Sequence, residues 1–255
     1  MRLKLTIAYD GAPYKGWQTQ PNTTTVQETL EQALSTIAKG PIKIHGSGRT
    51  DTGVHAHAQV AHFDPPAGSR MSPQNWLAAT NTKLPASIRL MDVCAVPPDF
   101  HARFSATSKT YSYRIETAPV LHPHDVHRVW HLPRGLDPSL LATALQSYIG
   151  AHDFRHFSAL RGNESAETSY IRTLTEASLT EHGTQLTLRY SANGFLYKMV
   201  RLLTGIAVSV AQGKLPLDRF HAMLAPRDAP PLDHNAAKLC APPSGLSLTK
   251  VYYDS

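Results

Sequence analysis

Gly46-Ser47-Gly48-Arg49-Thr50-Asp51-Thr52-Gly53-Val54-His55-Ala56 sets one carboxylate in a turn too rich in glycine to be helix or strand, and the elements on either side of it decide the fold. Three glycines in eight positions allow positive φ and let a ligand approach the backbone closely. Arg49 and the hydroxyls of Thr50 and Thr52 can hold and charge-match the acid between them. A carboxylate beside a guanidinium stays ionised at neutral pH, so Asp51 reads as an anionic nucleophile or base rather than as an acid. The competing reading is a plain polar turn. A phosphate cradle fits poorly, because there is no GxxxxGK[ST] and the glycine spacing is not G-x-G-x-x-G. Asp51-Thr52-Gly53 also matches an aspartic-protease turn, but no second such tripeptide exists to share a proton, and only a homodimer would supply one.

Working outward, Leu3, Leu5, Ile7 and Tyr9 alternate with polar or small residues, the period of a strand with one buried face. After a polar, aromatic loop from Tyr9 to Pro21, Thr25 and Glu28 form a capping box. Val26, Leu30, Ala33, Leu34 and Ile37 then predict an amphipathic helix that stops at Gly40. Ile42 and Ile44 predict a strand leading into the Asp51 turn, and Val60 to Phe63 a strand leaving it. Ser72-Pro73 caps a helix through Asn81, and Ile88 to Val96 is a strand. The order is β-α-β-β-α-β.

The second half repeats that order: a strand at Tyr111, Tyr113 and Ile115, and a helix capped by Asp137-Pro138. A hairpin follows, with strands 171–179 and 186–190, then an apolar helix from Phe195 to Gln212, a short one from Pro216 to Leu224, a proline-rich loop and a last strand from Leu246 to Tyr253. The predicted fold is α/β of the α+β kind: two fused ferredoxin-like halves, 1–104 and 105–255. They would form a mainly antiparallel sheet with helices on one side and an active-site cleft between the halves.

Composition narrows the function. The 255 residues can bury a real core as one domain or two. Cys94 and Cys240 lack any C-x-x-C partner, which points to a reducing compartment and away from structural zinc. No apolar run reaches membrane-spanning length and the N-terminus reads directly into a strand, so a cytoplasmic protein is expected. A net charge of +6 and a pI near 9.3 favour a polyanionic partner, and the 14 histidines add positive charge on acidification.

Three constellations bear on chemistry. His55, His57 and His62 invite a metal, but strand geometry puts 55 and 57 on one face and 62 on the other, so none is assigned. On the helix predicted over 195–212, Tyr197, Arg201 and Thr204 share a face, and an arginine on so apolar a helix needs a partner, either a structural carboxylate or a catalytic acid or phosphate. From Arg103-Phe104 to Lys109, just before Tyr111, basic groups interleave with aromatics, as in a surface that stacks bases and holds phosphates.

Gly48 to Ala56, Arg103-Phe104-Ser105-Ala106-Thr107, Phe195-Leu196-Tyr197-Lys198-Met199-Val200-Arg201 and Ala241-Pro242-Pro243-Ser244-Gly245-Leu246 resemble, in order and spacing, the tRNA pseudouridine synthase A family. Tyr9-Asp10-Gly11, Gly16-Trp17-Gln18 and Val251-Tyr252-Tyr253 extend the likeness nearly end to end. Thr52 stands where the family commonly has alanine, and Leu202-Leu203 where it has asparagine and an aliphatic residue, differences that touch packing and RNA contacts rather than the reaction. The resemblance implies isomerisation of uridine to pseudouridine in the tRNA anticodon stem-loop, at positions 38–40, by a cytoplasmic homodimer. It implies Asp51 as the essential group, Tyr111 stacking on the flipped base, Arg49 and Arg201 positioning Asp51 and a phosphate, and Leu246 lining the pocket. Isomerisation changes no redox state and uses no energy source, so no cofactor and no metal are expected. A non-catalytic RNA-binding protein and an aspartate-dependent hydrolase are the alternatives, and a binding module has no need of Asp51.

Overall fold

Leu3, Leu5 and Ile7 are fully buried and Tyr9 nearly so, and they make Arg2–Tyr9 (β1) the centre of the first unit. A computed structural model describes residues 1–160, 168–224 and 239–254 of the chain. Among these it is a mixed α/β fold with mostly antiparallel strand pairing and five helices, dividing into Met1–Thr107 with Ser247–Ser255, and Ser108–Leu246. The proline-rich loop expected before the last strand falls largely on 225–238, outside the described residues.

In the first unit, Val26–Ala38 (α1) begins where the capping box predicts: the Thr25 hydroxyl accepts from the Glu28 N–H at 3.3 Å. It ends one residue before Gly40, at Lys39, whose φ of 55° is left-handed. The strand His45–Gly46 (β2) is shorter than expected. Ile42 and Ile44 are buried, but Ile42 N–H donates to Ser35 Oγ at 2.8 Å and Ile44 N–H to Glu31 Oε1 at 3.1 Å. Side chains of α1 thus satisfy these backbone donors, and no ladder forms over 41–44.

His55–Phe63 (β3) starts five residues earlier than predicted. Pro73–Asn81 (α2) is capped by Ser72, and Ile88–Val96 (β4) matches its predicted bounds. Asn81 locks the two together, donating to Leu90 O and accepting from Leu90 N–H, both at 2.9 Å. β1 lies between β3 and β4, and β2 pairs with β3, all antiparallel, the order β4-β1-β3-β2 expected of β-α-β-β-α-β.

In the second unit, Ala106–Glu116 (β5) pairs with Gln185–Ala192 (β9), β9 with Ile171–His182 (β8), and β8 with Gly150–Asp153 (β7), all antiparallel. Trp130–His131 (β6) adds a short parallel pairing on β5. β6 and β7 were not foreseen; each is too short to show a period. Asp137 caps Pro138–Gln146 (α3), accepting from Ser139 N–H at 2.8 Å and Leu140 N–H at 3.1 Å. Met199–Ala211 (α4) is buried throughout from Leu202, and Leu217–Leu224 (α5) follows. α4 begins four residues later than predicted, because Lys198 takes a left-handed φ of 57° and Ala159 N–H draws on Tyr197 O at 3.0 Å. Tyr197 is therefore off the helix, and it does not share a helical face with Arg201 and Thr204.

Leu246–Tyr253 (β10) has its predicted bounds, and its Ser247 and Leu248 pair in parallel with His55 and Ala56 of β3. The element order predicts a second half that extends to residue 255. The structure instead groups Ser247–Ser255 with the first unit, as that pairing requires.

His62 carries a pH prediction. It is 2% exposed, and its Nδ1 accepts from Ala102 N–H at 3.1 Å. Burial first, then Arg2, His101 and His45, lower its pKa from 6.5 to about 4. The unfolded ring takes up a proton near pH 6.5, and the folded ring does not until about 4. Stability from this group is intact above 6.5 and falls by on the order of 2 kcal/mol as the pH drops to about 4. Urea unfolding of wild type and His62→Asn should show this part of the acid loss in the wild type alone, since asparagine keeps an acceptor and cannot titrate. Parallel pH profiles would refute it.

Candidate active site

The Asp51 turn is fixed by a buried polar residue, Gln59, that no motif in the sequence marks. Ser47 N–H donates to Val60 O at 2.7 Å, and the Ser47 hydroxyl to Gln59 Oε1 at 2.7 Å. Gln59, fully buried on β3, returns its amide to Gly48 O at 3.0 Å, so both ends of its side chain hold the entry to the turn. A lone glutamine inside Ala56–Phe63 was the available signal. Asp51 O accepts from Val54 N–H at 3.1 Å, and Gly53, at φ 77°, supplies the positive φ that this β-turn needs at its third position. Asp51 itself is half-buried.

The aromatic loop before α1 lies directly on this turn. Trp17 N–H donates to Thr50 O at 3.1 Å, and Trp17 is 2% exposed. A methyl on Gly16, whose φ is 89°, would sit 2.7 Å from Thr50 O and 3.2 Å from the Asp51 carbonyl carbon, so glycine is required there. The Thr50 hydroxyl meets the Tyr9 hydroxyl at 2.8 Å in the core, and burial pushes the Tyr9 phenol up. Thr52 is exposed. Arg49 is exposed too, and its Nε donates to Gln18 Oε1 at 3.1 Å. Gln18 in turn donates to Gln27 at 2.7 Å, and Gln27 to buried Glu31 at 3.1 Å. The guanidinium beside Asp51 in sequence is thereby oriented by α1.

Asp51 and Arg49 belong to the first unit; Tyr111, Arg201 and Leu246 belong to the second. Tyr111, on β5, is 9% exposed and meets the Phe195 ring edge-on at 5.1 Å. Two residues on, the buried Tyr113 donates its hydroxyl to Pro242 O at 2.7 Å. Burial pushes the Tyr113 phenol up, and the nearby Arg201 charge partly offsets this. Arg201, half-buried on α4, donates from Nε to Ala241 O at 2.8 Å, while Ala241 N–H donates to Arg201 O at 3.0 Å. The stretch 239–242 is thus tied to α4 and β5, and it leads through the 3-10 turn Pro243–Gly245 to Leu246, 5% exposed. The carbonyl partner for Arg201 was not among the sequence alternatives. Thr204, fully buried, bonds Tyr190 and Val200 O and is structural.

Comparison with known proteins gives this arrangement a class. A family model described as tRNA pseudouridine synthase matches residues 5–105 and 144–254. A tRNA pseudouridine synthase A from Akkermansia muciniphila is 46% identical, over 99% of this chain and 95% of the relative. One from a Geobacillus species is 40% identical over 100% and 99%, and tRNA pseudouridine synthase A 2 of Clostridium perfringens is 39% identical over 98% and 99%. The chain belongs to the tRNA pseudouridine synthase A family, as its four ordered motifs imply.

Proposed function

We propose that the protein isomerises uridine to pseudouridine in the anticodon stem-loop of tRNA, with Asp51 as the essential group. What carries the reading is a half-buried carboxylate on a turn held by Gln59, Gly53 and the Gly16-Trp17 backbone, at the end of an intact Gly48-Arg49-Thr50-Asp51 string. The C1′–N1 bond breaks and a C1′–C5 bond forms on the same base, N1 gains a proton and C5 loses one, so atoms and electrons balance without a cofactor. Asp51 serves by attack on C6, by attack on C1′, or by taking the C2′ proton. Tyr111 stacks on the flipped base, Arg49 and Arg201 position the acid and a phosphate, and Leu246 lines the pocket. Flipping costs a few kcal/mol, least in a single-stranded loop. The protein works as a cytoplasmic homodimer, for which light scattering should report twice the 28.0 kDa chain mass.

The test is tritium release from C5-labelled uridine in tRNA with no additives, followed by mapping of the modified positions. Tyr111→Phe keeps the ring and should stay within about tenfold of wild type. Arg201→Ala removes a charge and leaves the Ala241 carbonyl without that donor, and should lower kcat by more than about tenfold. An Arg201→Ala enzyme with wild-type turnover would remove Arg201 from the site.

A further inference from the structure

The face of the first unit's sheet turned away from α2 carries a feature that the reaction leaves unexplained. Phe63 lies opposite Leu3, and the Phe63 ring packs on Trp76 of α2 at 5.3 Å. His62 lies opposite Lys4 on β1 and His45 on β2, so these three share the other face. A strap from Pro97 to Ser105 crosses that face. It is held by Arg2, which donates to Phe100 O at 2.7 Å, by His62, which accepts from Ala102 N–H, and by Tyr253, whose hydroxyl donates to Ala102 O at 2.8 Å.

The strap presents one ring to solvent. Phe104 is 76% exposed, the one aromatic among the exposed large apolar side chains of the described residues. Covering such a ring would be favourable, yet it stands in solvent on a backbone held by its own hydrogen bonds. His101 Nδ1 accepts from Arg103 N–H at 3.1 Å and from Phe104 N–H at 3.3 Å, and Ser105 N–H donates back to His101 O at 2.9 Å. His45, His62 and His101 cluster, with ring centroids 5.1 Å (45–62), 4.7 Å (62–101) and 5.8 Å (45–101) apart, and the Phe104 ring lies 4.3 Å from that of His101. The exposed Arg103 guanidinium lies over the Phe104 ring, 5.6 Å from its centroid, and His45, exposed, packs on both His62 and His101. Of the nearby acids, Asp64 is paired with Arg2 at 2.8 Å.

We propose that Phe104, framed by His101 and Arg103, is a stacking platform for one unpaired tRNA nucleotide other than the one isomerised. It rests on the reading of tRNA as substrate. A preorganised, exposed aromatic with a guanidinium against it offers a stacking surface to any base and a cation to its phosphate. A second copy of this chain is the other occupant that an exposed ring admits, and the test separates the two.

The experiment titrates unmodified tRNA into the full-length protein and its Phe104→Ala, Phe104→Leu and Phe104→Trp variants, with turnover measured alongside. Alanine and leucine should each weaken affinity about tenfold and raise KM with kcat unchanged, and tryptophan should retain wild-type affinity. The loss should be the same at about 50 and 200 mM salt, while an Arg103→Ala loss should shrink as salt rises. Affinity of Phe104→Leu equal to wild type, or a fall in kcat without a change in KM, would overturn the platform. So would a drop from dimer to monomer mass in Phe104→Ala with tRNA affinity unchanged. Wild-type protein that releases no tritium but shows this affinity pattern would refute the proposed reaction and leave the platform standing.

Discussion

Asp51→Asn is expected to abolish pseudouridine formation while leaving the fold and most tRNA affinity in place. The amide is nearly isosteric, and the turn it sits in is held by other groups: the Asp51 backbone carbonyl bonds Val54 N–H, Gln59 pins Gly48, and Trp17 pins Thr50. None of these uses the carboxylate. An asparagine cannot serve as an anionic nucleophile or base, so the chemical step should slow by roughly 10²–10⁴-fold or more. Affinity should persist, because it comes mainly from phosphate contacts by lysine and arginine and from base stacking. The measurement pairs tritium release from C5-labelled uridine with a binding titration on the same sample. Residual release within about tenfold of wild type, roughly 1.4 kcal/mol of barrier, would move the search to another residue.

Gly205→Ala is expected to be the most damaging small substitution in the second unit. By helix propensity alone it should stabilise α4 by about 1 kcal/mol. Packing decides the sign the other way. A methyl at Gly205 would overlap the Leu239 carbonyl oxygen and lie 2.8 Å from its carbon and 3.0 Å from Ala241 N, all of them backbone atoms rather than a side chain that can swing aside. Stretch 239–241 would have to lift off α4, which breaks both hydrogen bonds between Arg201 and Ala241 and opens the packing beneath. The net loss should be about 3 kcal/mol, read as a lower urea midpoint. Gly40→Ala, where an added methyl meets nothing within 4 Å, is the matched control and should stay within about 0.5 kcal/mol of wild type. Equal midpoints for the two variants would show that the close approach of 239–241 to α4 is misplaced.

These two residues mark the boundary between what the chain states locally and what only folding arranges. The Asp51 turn, the caps at Thr25, Ser72 and Asp137, and the alternation of β1 were legible in the sequence, because each rests on partners within a few residues: Thr25 with Glu28, Asp51 with Val54, Asp137 with Ser139. The β-α-β-β-α-β order followed from them, and so did the family, since its motifs are local strings. The start of α4, the loss of a strand at Ile42–Ile44, the parallel seat of β10 on β3 and the carbonyl that Arg201 binds were not legible. In each case the deciding partner comes from elsewhere in the chain: Ala159 draws on Tyr197, Ser35 and Glu31 take the N–H groups of Ile42 and Ile44, His55 and Ala56 receive Ser247 and Leu248, and Ala241 meets Arg201. A backbone polar group must be satisfied by whichever partner the packed chain brings to it, and local sequence does not name that partner.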